Sequence, residues 1–356
     1  MIRAAALGLL IFFTITQLPG EIRALWVPSW ELTSPENIDQ LVQEAKNNRI
    51  NKILAEVRYR ADCLYFPNKN DSTFPNPEPR SYLLAATPDF DPLEYLIQKS
   101  SGSGIEIHAW LTTYVVTTHK LENLAADHLY FTHPEWITHD FRRQAMKFDS
   151  QEGAYLDPGI PEVSIYLLNI IMDILKNYRI AGIHLDYLRY PDINYGYNPQ
   201  SYILFKAQTR YQDYYSWQRW KQDQISQFIN ALRISMRNTF PGVKLSAAVF
   251  PDLMQAKNFY AQNWHEWLIR DLVDQVYLMA YTSSNDNFRV IMDKVVNLNL
   301  NDMIVIGLRA WSNNNEYPAR QINDKVKMVK KSGFAGLSFF SYTGIKENNY
   351  FQSLKY

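Results

Sequence analysis

Eight short apolar runs recur along the chain, at residues 22–29, 50–57, 105–111, 181–187, 243–250, 273–281, 303–308 and 335–341. Amphipathic stretches with helix-starting signals separate them. Ser34-Pro35-Glu36 sets a capping serine before a proline at a first helical position. Asp91-Pro92-Leu93, Ile160-Pro161-Glu162 and Tyr317-Pro318-Ala319 repeat the proline start. Strands that alternate with helices pair in parallel, because each crossover returns the chain to the same end of the sheet. Eight such units predict an α/β fold, a single (β/α)8 TIM barrel over residues 21–356. The eighth helix is expected to be short, since only residues 347–354 remain for it.

Two connections are long, residues 60–88 after the second strand and 112–160 after the third. Both are rich in Pro, Asn, Asp and aromatic residues. In a barrel these loops lie on the C-terminal face of the strands, where active sites are built.

The chain opens with Met1-Ile2-Arg3 and an apolar run over residues 4–15. Such a run is too short to span a bilayer and suits the core of a secretory leader. Residues 1–20 are therefore expected to be a signal peptide. That predicts a secreted or periplasmic protein, with no stable membrane insertion after cleavage. Cys63 is the single cysteine, so no internal disulfide assists and the core must suffice. The 36 basic side chains balance 36 acidic ones, which argues against a nucleic-acid partner.

Side chains alternate along a strand, so polar residues mark the parity that faces the barrel interior and its mouth. Glu56 and Arg58 share one parity in the second strand, opposite Ile53, Ala55 and Val57. Glu106, His108 and Trp110 do so in the third, and His184 and Asp186 in the fourth. The fifth strand contributes Ser246, Ala248 and Phe250, with Asp252 just beyond, and the sixth Tyr277, Met279 and Tyr281. Asp186, Trp110, Arg58 and Tyr281 are thus expected near the upper rim, with His108 and His184 below it as hydrogen-bonded interior groups.

A cleft carrying carboxylates, arginines and aromatic rings suits glycosidic chemistry. One carboxylic acid protonates the leaving oxygen, and a second carboxylate attacks or activates water. Aromatic rings stack on sugar faces. Each candidate also has a plainer reading. Asp186 can pair with Arg189 or Arg58, Glu56 can form a buried pair with Arg58, and Asp252 after Pro251 can cap a helix. Metal-dependent chemistry lacks support, because none of the seven histidines forms a His-x-x-x-His pair. Neither a Gly-rich phosphate loop nor a Gly-x-Ser-x-Gly elbow occurs, so no metal or cofactor is expected.

The segment Ile183-His184-Leu185-Asp186-Tyr187-Leu188-Arg189-Tyr190-Pro191, preceded by Ala181-Gly182, resembles the glycosyl-hydrolase-like family 10 barrels. So do Glu21-Ile22-Arg23-Ala24-Leu25-Trp26, Glu56-Val57-Arg58 with Asp62 and Tyr65, Ile107-His108-Ala109-Trp110 and Tyr155-Leu156-Asp157-Pro158-Gly159, in family order. Gln262-Asn263-Trp264 and Met279-Ala280-Tyr281 continue the likeness, which covers most of residues 21–345. The family includes a bacterial cell-division enzyme acting on peptidoglycan glycan strands. The resemblance therefore implies a glycoside hydrolase of a bacterial envelope or extracellular polysaccharide, with peptide-free peptidoglycan as one such substrate. It makes Asp186 the foremost catalytic candidate and sets Arg58, Trp110, Arg189 and Tyr190 along the cleft. Glu56 departs from the glutamine of many relatives, and the seventh strand, Gly307-Leu308-Arg309, offers no acid. The second carboxylate stays open among Asp252, Glu56, Asp62 and Asp157. Asp62, Tyr114, Trp264, Tyr281 and Trp311 complete the expected substrate-binding set. The alternative is a barrel that binds glycan without cleaving it.

Overall fold

The computed structural model describes residues 21–313 and 316–355, so the expected leader at residues 1–20 lies outside the described residues. Each apolar run forms one strand: β1 (Ile22–Val27), β2 (Lys52–Arg58), β3 (Glu106–Thr112), β4 (Gly182–Asp186), β5 (Lys244–Val249), β6 (Gln275–Ala280), β7 (Ile304–Arg309) and β8 (Gly336–Phe340). Every strand runs parallel to its neighbours. β8 closes onto β1 with Ile22 beside Gly336 and Leu25 beside Phe339. The observed fold is the (β/α)8 barrel expected from the sequence. Its seam requires glycine at 336, where φ is 157° and a Cβ would lie 2.1 Å from the Ile22 carbonyl oxygen.

Alternation along the strands divides the core into two layers. Leu25, Val27, Ile53, Ala55, Ile107, Ala109, Ile183 and Leu185 pack outward against the helices. Trp26, Leu54, Trp110, Tyr277 and Val305 fill the barrel interior. The Trp26 ring meets Trp110 edge-on at 4.9 Å and His184 at 4.5 Å, and its indole N–H donates to Ser338 Oγ at 3.2 Å. Edge-to-face pairs each add about 0.5–1.5 kcal/mol beyond the area they bury. The interior is therefore a packed plug that forms a floor under the mouth.

Both interior histidines sit in this plug. His184 Nδ1 is 2.8 Å from Ser246 Oγ, and His108 Nε2 is 3.3 Å from Glu106. Burial lowers both imidazoles, His108 to about 4, so both are neutral near pH 7. Gly182 makes room for His108, whose Nδ1 would lie 2.2 Å from a Cβ at that position.

The helix starts follow the sequence signals with one shift. Ser34 Oγ accepts from the Asn37 N–H and Asp91 from the Glu94 N–H, capping helices Pro35–Asn47 and Pro92–Ser100. Pro318 takes the cap position rather than the first helical one, and the helix runs Ala319–Lys331. The last helix also differs from expectation. It forms at Tyr342–Glu347, directly after β8, and Asn349 (φ 50°) then turns the chain into a single 3-10 turn, Tyr350–Gln352. The connection after β4 carries two helices, Pro199–Gln208 and the 26-residue Tyr214–Thr239. Among the described residues no helix is long and apolar enough to cross a membrane.

Candidate active site

The site is shaped by one irregularity in β2. Glu56 stands beside Trp110 of β3, but the next partner, Leu111, stands beside Arg58, so Val57 is an extra residue. Such a bulge breaks the alternation. Glu56 keeps its inward position, whereas Arg58 is carried to the outward side with Leu111. There Arg58 is fully buried. Its Nε and Nη2 donate to the Glu78 carboxylate at 2.9 and 2.6 Å, and its Nη1 to the carbonyls of Thr112 and, at 3.2 Å, Thr113. Tyr166 donates to the same Glu78 at 2.8 Å. The expectation that Arg58 lines the rim is thus corrected: it fastens the loop after β2 to the end of β3.

Arg60 occupies the cleft in its place. Arg60 and Ala61 both adopt left-handed φ, 58° and 63°. The Arg60 N–H donates to Thr112 Oγ1 at 3.0 Å. Its guanidinium lies 5.4 Å from the Tyr59 ring and 5.0 Å from the Tyr187 ring, with Nε and Nη1 unpartnered. No parity rule reaches this residue, because the bulge precedes it and its own backbone is left-handed.

Two buried carboxyl groups face this guanidinium. Glu56 Oε2 accepts from the Ser29 N–H at 3.1 Å and the Ser29 hydroxyl at 2.9 Å. Burial raises its carboxyl to about 7. The Ser29 bonds and Arg60 oppose that rise, and the Asp186 charge adds to it. Asp186, at the end of β4, accepts from the Tyr187 N–H at 2.7 Å. Burial raises it to about 6, against the pull of that N–H, Arg189, Arg60 and the Trp110 indole. Glu56 and Asp186 therefore feel each other and share one cation.

Aromatic rings wall the mouth. Tyr281 stacks on Phe340 at 5.1 Å and meets Trp311 edge-on at 5.5 Å, while Phe340 touches Trp110 at 6.2 Å. Trp110, Tyr281 and Trp311 thus come together around Phe340. Phe340 shares the inward parity of Ser338 in β8, and extending the parity reading to that strand finds it. Beyond Arg60 a depression of about 620 Å³ opens between the two long loops, lined among others by Tyr59, Tyr82, Lys120 and Glu152. Glu152, which sequence reasoning missed, accepts from Arg189 Nη2 at 2.9 Å and from the Tyr155 hydroxyl at 3.2 Å. Arg189 lies within 5.5 Å of the rings of Tyr155, Tyr187, Phe250 and Tyr260, beside the cleft.

Asp62 is buried with Oδ1 unpartnered, facing a chamber of about 170 Å³ that shares Tyr82 and Asn123 with the larger depression. Burial holds its carboxyl well above the usual range.

Five other candidates stand elsewhere. Asp252 caps helix Leu253–Tyr260 through the Met254 and Gln255 N–H groups and pairs with Lys294 at 3.1 Å. Its carboxylate is engaged in the plainer role. Tyr114, just past β3, packs outward against Phe228 at 6.1 Å. The left-handed turn at Tyr187 (φ 50°) redirects the chain, so Tyr190 is buried in the outer layer under Lys221. Trp264 begins helix Trp264–Ile269 in that layer and donates to the Phe250 carbonyl at 3.0 Å. Asp157 is also engaged, by Gly159 N–H, Ser201 and Thr138 within 2.9 Å. Among the described residues, no group of three or more His, Cys, Asp or Glu side chains is placed to hold a metal ion.

A parallel eightfold barrel with paired carboxyl groups beneath an aromatic mouth has the form of a glycoside hydrolase fold. The chain belongs to the glycosyl hydrolase-like 10 family, which it matches over residues 21–331. It is 24% identical over 258 residues to the glycosyl hydrolase YngK of Bacillus subtilis, a match covering 67% of this chain and 47% of that protein. With the glycosyl hydrolase DigH of Escherichia coli K12 it shares 24% over 264 residues, 66% of this chain and 56% of the relative. The chain thus spans about half the length of these relatives. Among solved structures, the β-galactosidase of the psychrophilic Marinomonas ef1 superposes with a TM-score of 0.64 at 12% identity, covering 90% of this chain and 54% of that one. The β-amylase catalytic domain of Paenibacillus polymyxa gives 0.58 at 11%, covering 94% and 99%. At such identities the two structures show the shared barrel alone.

Proposed function

We propose that the chain hydrolyses glycosidic bonds of a bacterial envelope or extracellular polysaccharide, outside the cytoplasm, with Glu56 and Asp186 as its two carboxyl groups. The observation that carries this reading is their pairing: two buried acids around one guanidinium whose Nε and Nη1 are free of hydrogen bonds, at the mouth of an aromatic-walled barrel. Glu56, raised to about 7, keeps its proton better and is the general acid. Asp186, raised to about 6, ionises first and is the nucleophile or base. Arg60 stabilises negative charge on either, and Tyr281 and Trp311 hold sugar rings. Peptide-free peptidoglycan glycan is the first substrate to test, because DigH and YngK are named glycosyl hydrolases and the family resemblance points to wall glycan.

The experiment incubates the purified chain with peptide-free wall glycan and a panel of neutral polysaccharides, and assays new reducing ends. Release from one polymer, abolished in Asp186→Asn and Glu56→Gln, is expected. Wild-type rates in Asp186→Asn would sink the assignment. One observation favours a second reading, binding without turnover: Glu56 is only 3% exposed, with Oε2 already held by Ser29. Retention of glycan with no release anywhere, unchanged in Asp186→Asn, would establish that reading instead.

A further inference from the structure

The connection after β4 builds a second aromatic cluster, separate from the main core. Phe205, Trp217 and Trp220 form its buried part. Its outer surface does not close over. Tyr215 is 81% exposed, Tyr211 62% and Tyr214 52%, all at the start of the long helix Tyr214–Thr239 or just before it. Single exposed rings are ordinary, but a contiguous group marks a binding surface.

Cations interleave with these rings. Arg143, from the loop after β3, lies 5.2 Å from the Tyr202 ring centroid, and Lys206 lies 4.7 Å from the same ring. Arg210 lies 5.4 Å from Tyr211. Tyr202 in turn meets Trp217 at 5.8 Å, and Tyr214 meets Tyr215 at 5.8 Å; Tyr197, 5.3 Å from Trp217 and close enough to Tyr214 and Tyr202 to feel both, lies between the two pairs. Arg143, Lys206 and Arg210 form no ion pair among the described residues. Two acids stand close in sequence to them: Asp140 holds the Arg142 and Gln144 N–H groups, and Asp213 caps the helix at Ser216. The three cations outnumber these two carboxylates, so the face keeps an excess of positive charge among its tyrosine rings. It belongs to the loops that follow β3 and β4, the same end of the barrel as Asp186.

We infer that this face is a second polysaccharide site, distinct from the cleft, which takes a stretch of a glycan bearing anionic groups. Tyrosines offer flat surfaces to sugar faces while their hydroxyls stay wet, which suits a hydroxyl-rich chain better than acyl tails. The interleaved cations meet its charges, and their exposure makes the attraction sensitive to salt. The inference uses no step of the proposed hydrolysis.

The test is affinity electrophoresis of the purified chain through gels containing polygalacturonate or dextran. Retardation by polygalacturonate and not by dextran is expected, weakening with added salt. Tyr214→Ala/Tyr215→Ala and Arg143→Gln/Lys206→Gln should each weaken it about tenfold, with the melting temperature unchanged. The single Tyr215→Ala variant, at the most exposed ring, guards against a folding artefact. Asp186→Asn should bind as wild type does, so loss of hydrolysis and loss of this site are read separately. No retardation, or retardation of both double variants equal to the parent's, overturns the inference. So does binding to phosphatidylglycerol vesicles in place of the polymer, or a self-associated form that Tyr214→Ala/Tyr215→Ala dissolves.

Discussion

Arg58 and Glu78 form a fully buried, forked ion pair with a shortest N–O distance of 2.6 Å, on the outer side of the barrel wall. Two residues further on, Arg60 faces the cleft with its Nε and Nη1 free of hydrogen bonds. One arginine is thus used to hold the loop, and that loop presents the other to the acids.

This division predicts unequal effects on stability. Glu78→Gln leaves the Arg58 charge buried without its counter-ion, and breaking such a pair costs about 3–5 kcal/mol. Replacing both partners with apolar residues of similar volume should recover much of that loss, because no charge then stays stranded. Urea unfolding of the single and double variants checks this. A single variant as stable as the parent would show that the pair does not fasten the loop.

The two acids predict an unusual dependence of stability on pH. Burial raises Glu56 to about 7 and Asp186 to about 6, so the folded state holds protons that the unfolded chain has released. A raised folded value gives stability that is full below the unfolded pKa and is lost as pH climbs through the folded one. Stability should therefore fall between about pH 4 and pH 7, by roughly 3 kcal/mol for Glu56. Glu56→Gln removes that slope. Its melting temperature should exceed the parent's at about pH 8 and match it near pH 4. The reverse order would show that Glu56 is stabilised as a carboxylate.

Catalysis should follow the same groups. Activity needs Asp186 ionised and Glu56 protonated, which gives a narrow bell with limbs near 6 and 7. Arg60 lowers both values, so Arg60→Met should move both limbs to higher pH and cut the peak rate, by about tenfold for a lost charge contact. A pH–rate profile of reducing-end release reads both. An unmoved bell at a reduced rate would make Arg60 a substrate contact alone.

Much of this was legible in the chain. All eight strands announced themselves as apolar runs, and strand parity put Glu56, Trp110, Asp186 and Tyr281 on the inner side. Parity failed where the backbone stopped alternating. The extra residue at Val57 turned Arg58 outward, and the left-handed Tyr187 sent Tyr190 into the outer layer. Neither event has a sequence mark of its own, since no glycine or proline stands at either position. Glu152 escaped for a different reason. It reaches the cleft from a long loop through Arg189 and Tyr155, contacts that only tertiary folding creates.

Trp264 and Trp311, both expected along the cleft, should now part company in a kinetic test. Trp311 is partly exposed at the mouth against Tyr281 and Phe340, whereas Trp264 is fully buried between helices and bonded to the Phe250 carbonyl. Trp311→Ala removes a surface on which a sugar can rest, together with its contacts to Tyr281, Phe340 and Arg309 at the rim. KM should rise about tenfold with kcat nearly unchanged, and the unfolding free energy should fall by only about 1–2 kcal/mol, the worth of its rim contacts. Trp264→Ala opens a cavity in the outer core, at about 3–5 kcal/mol. The fraction that remains folded should keep the parent's KM. Steady-state kinetics beside urea unfolding separates the two effects. A raised KM in Trp264→Ala at full stability would return that residue to the cleft.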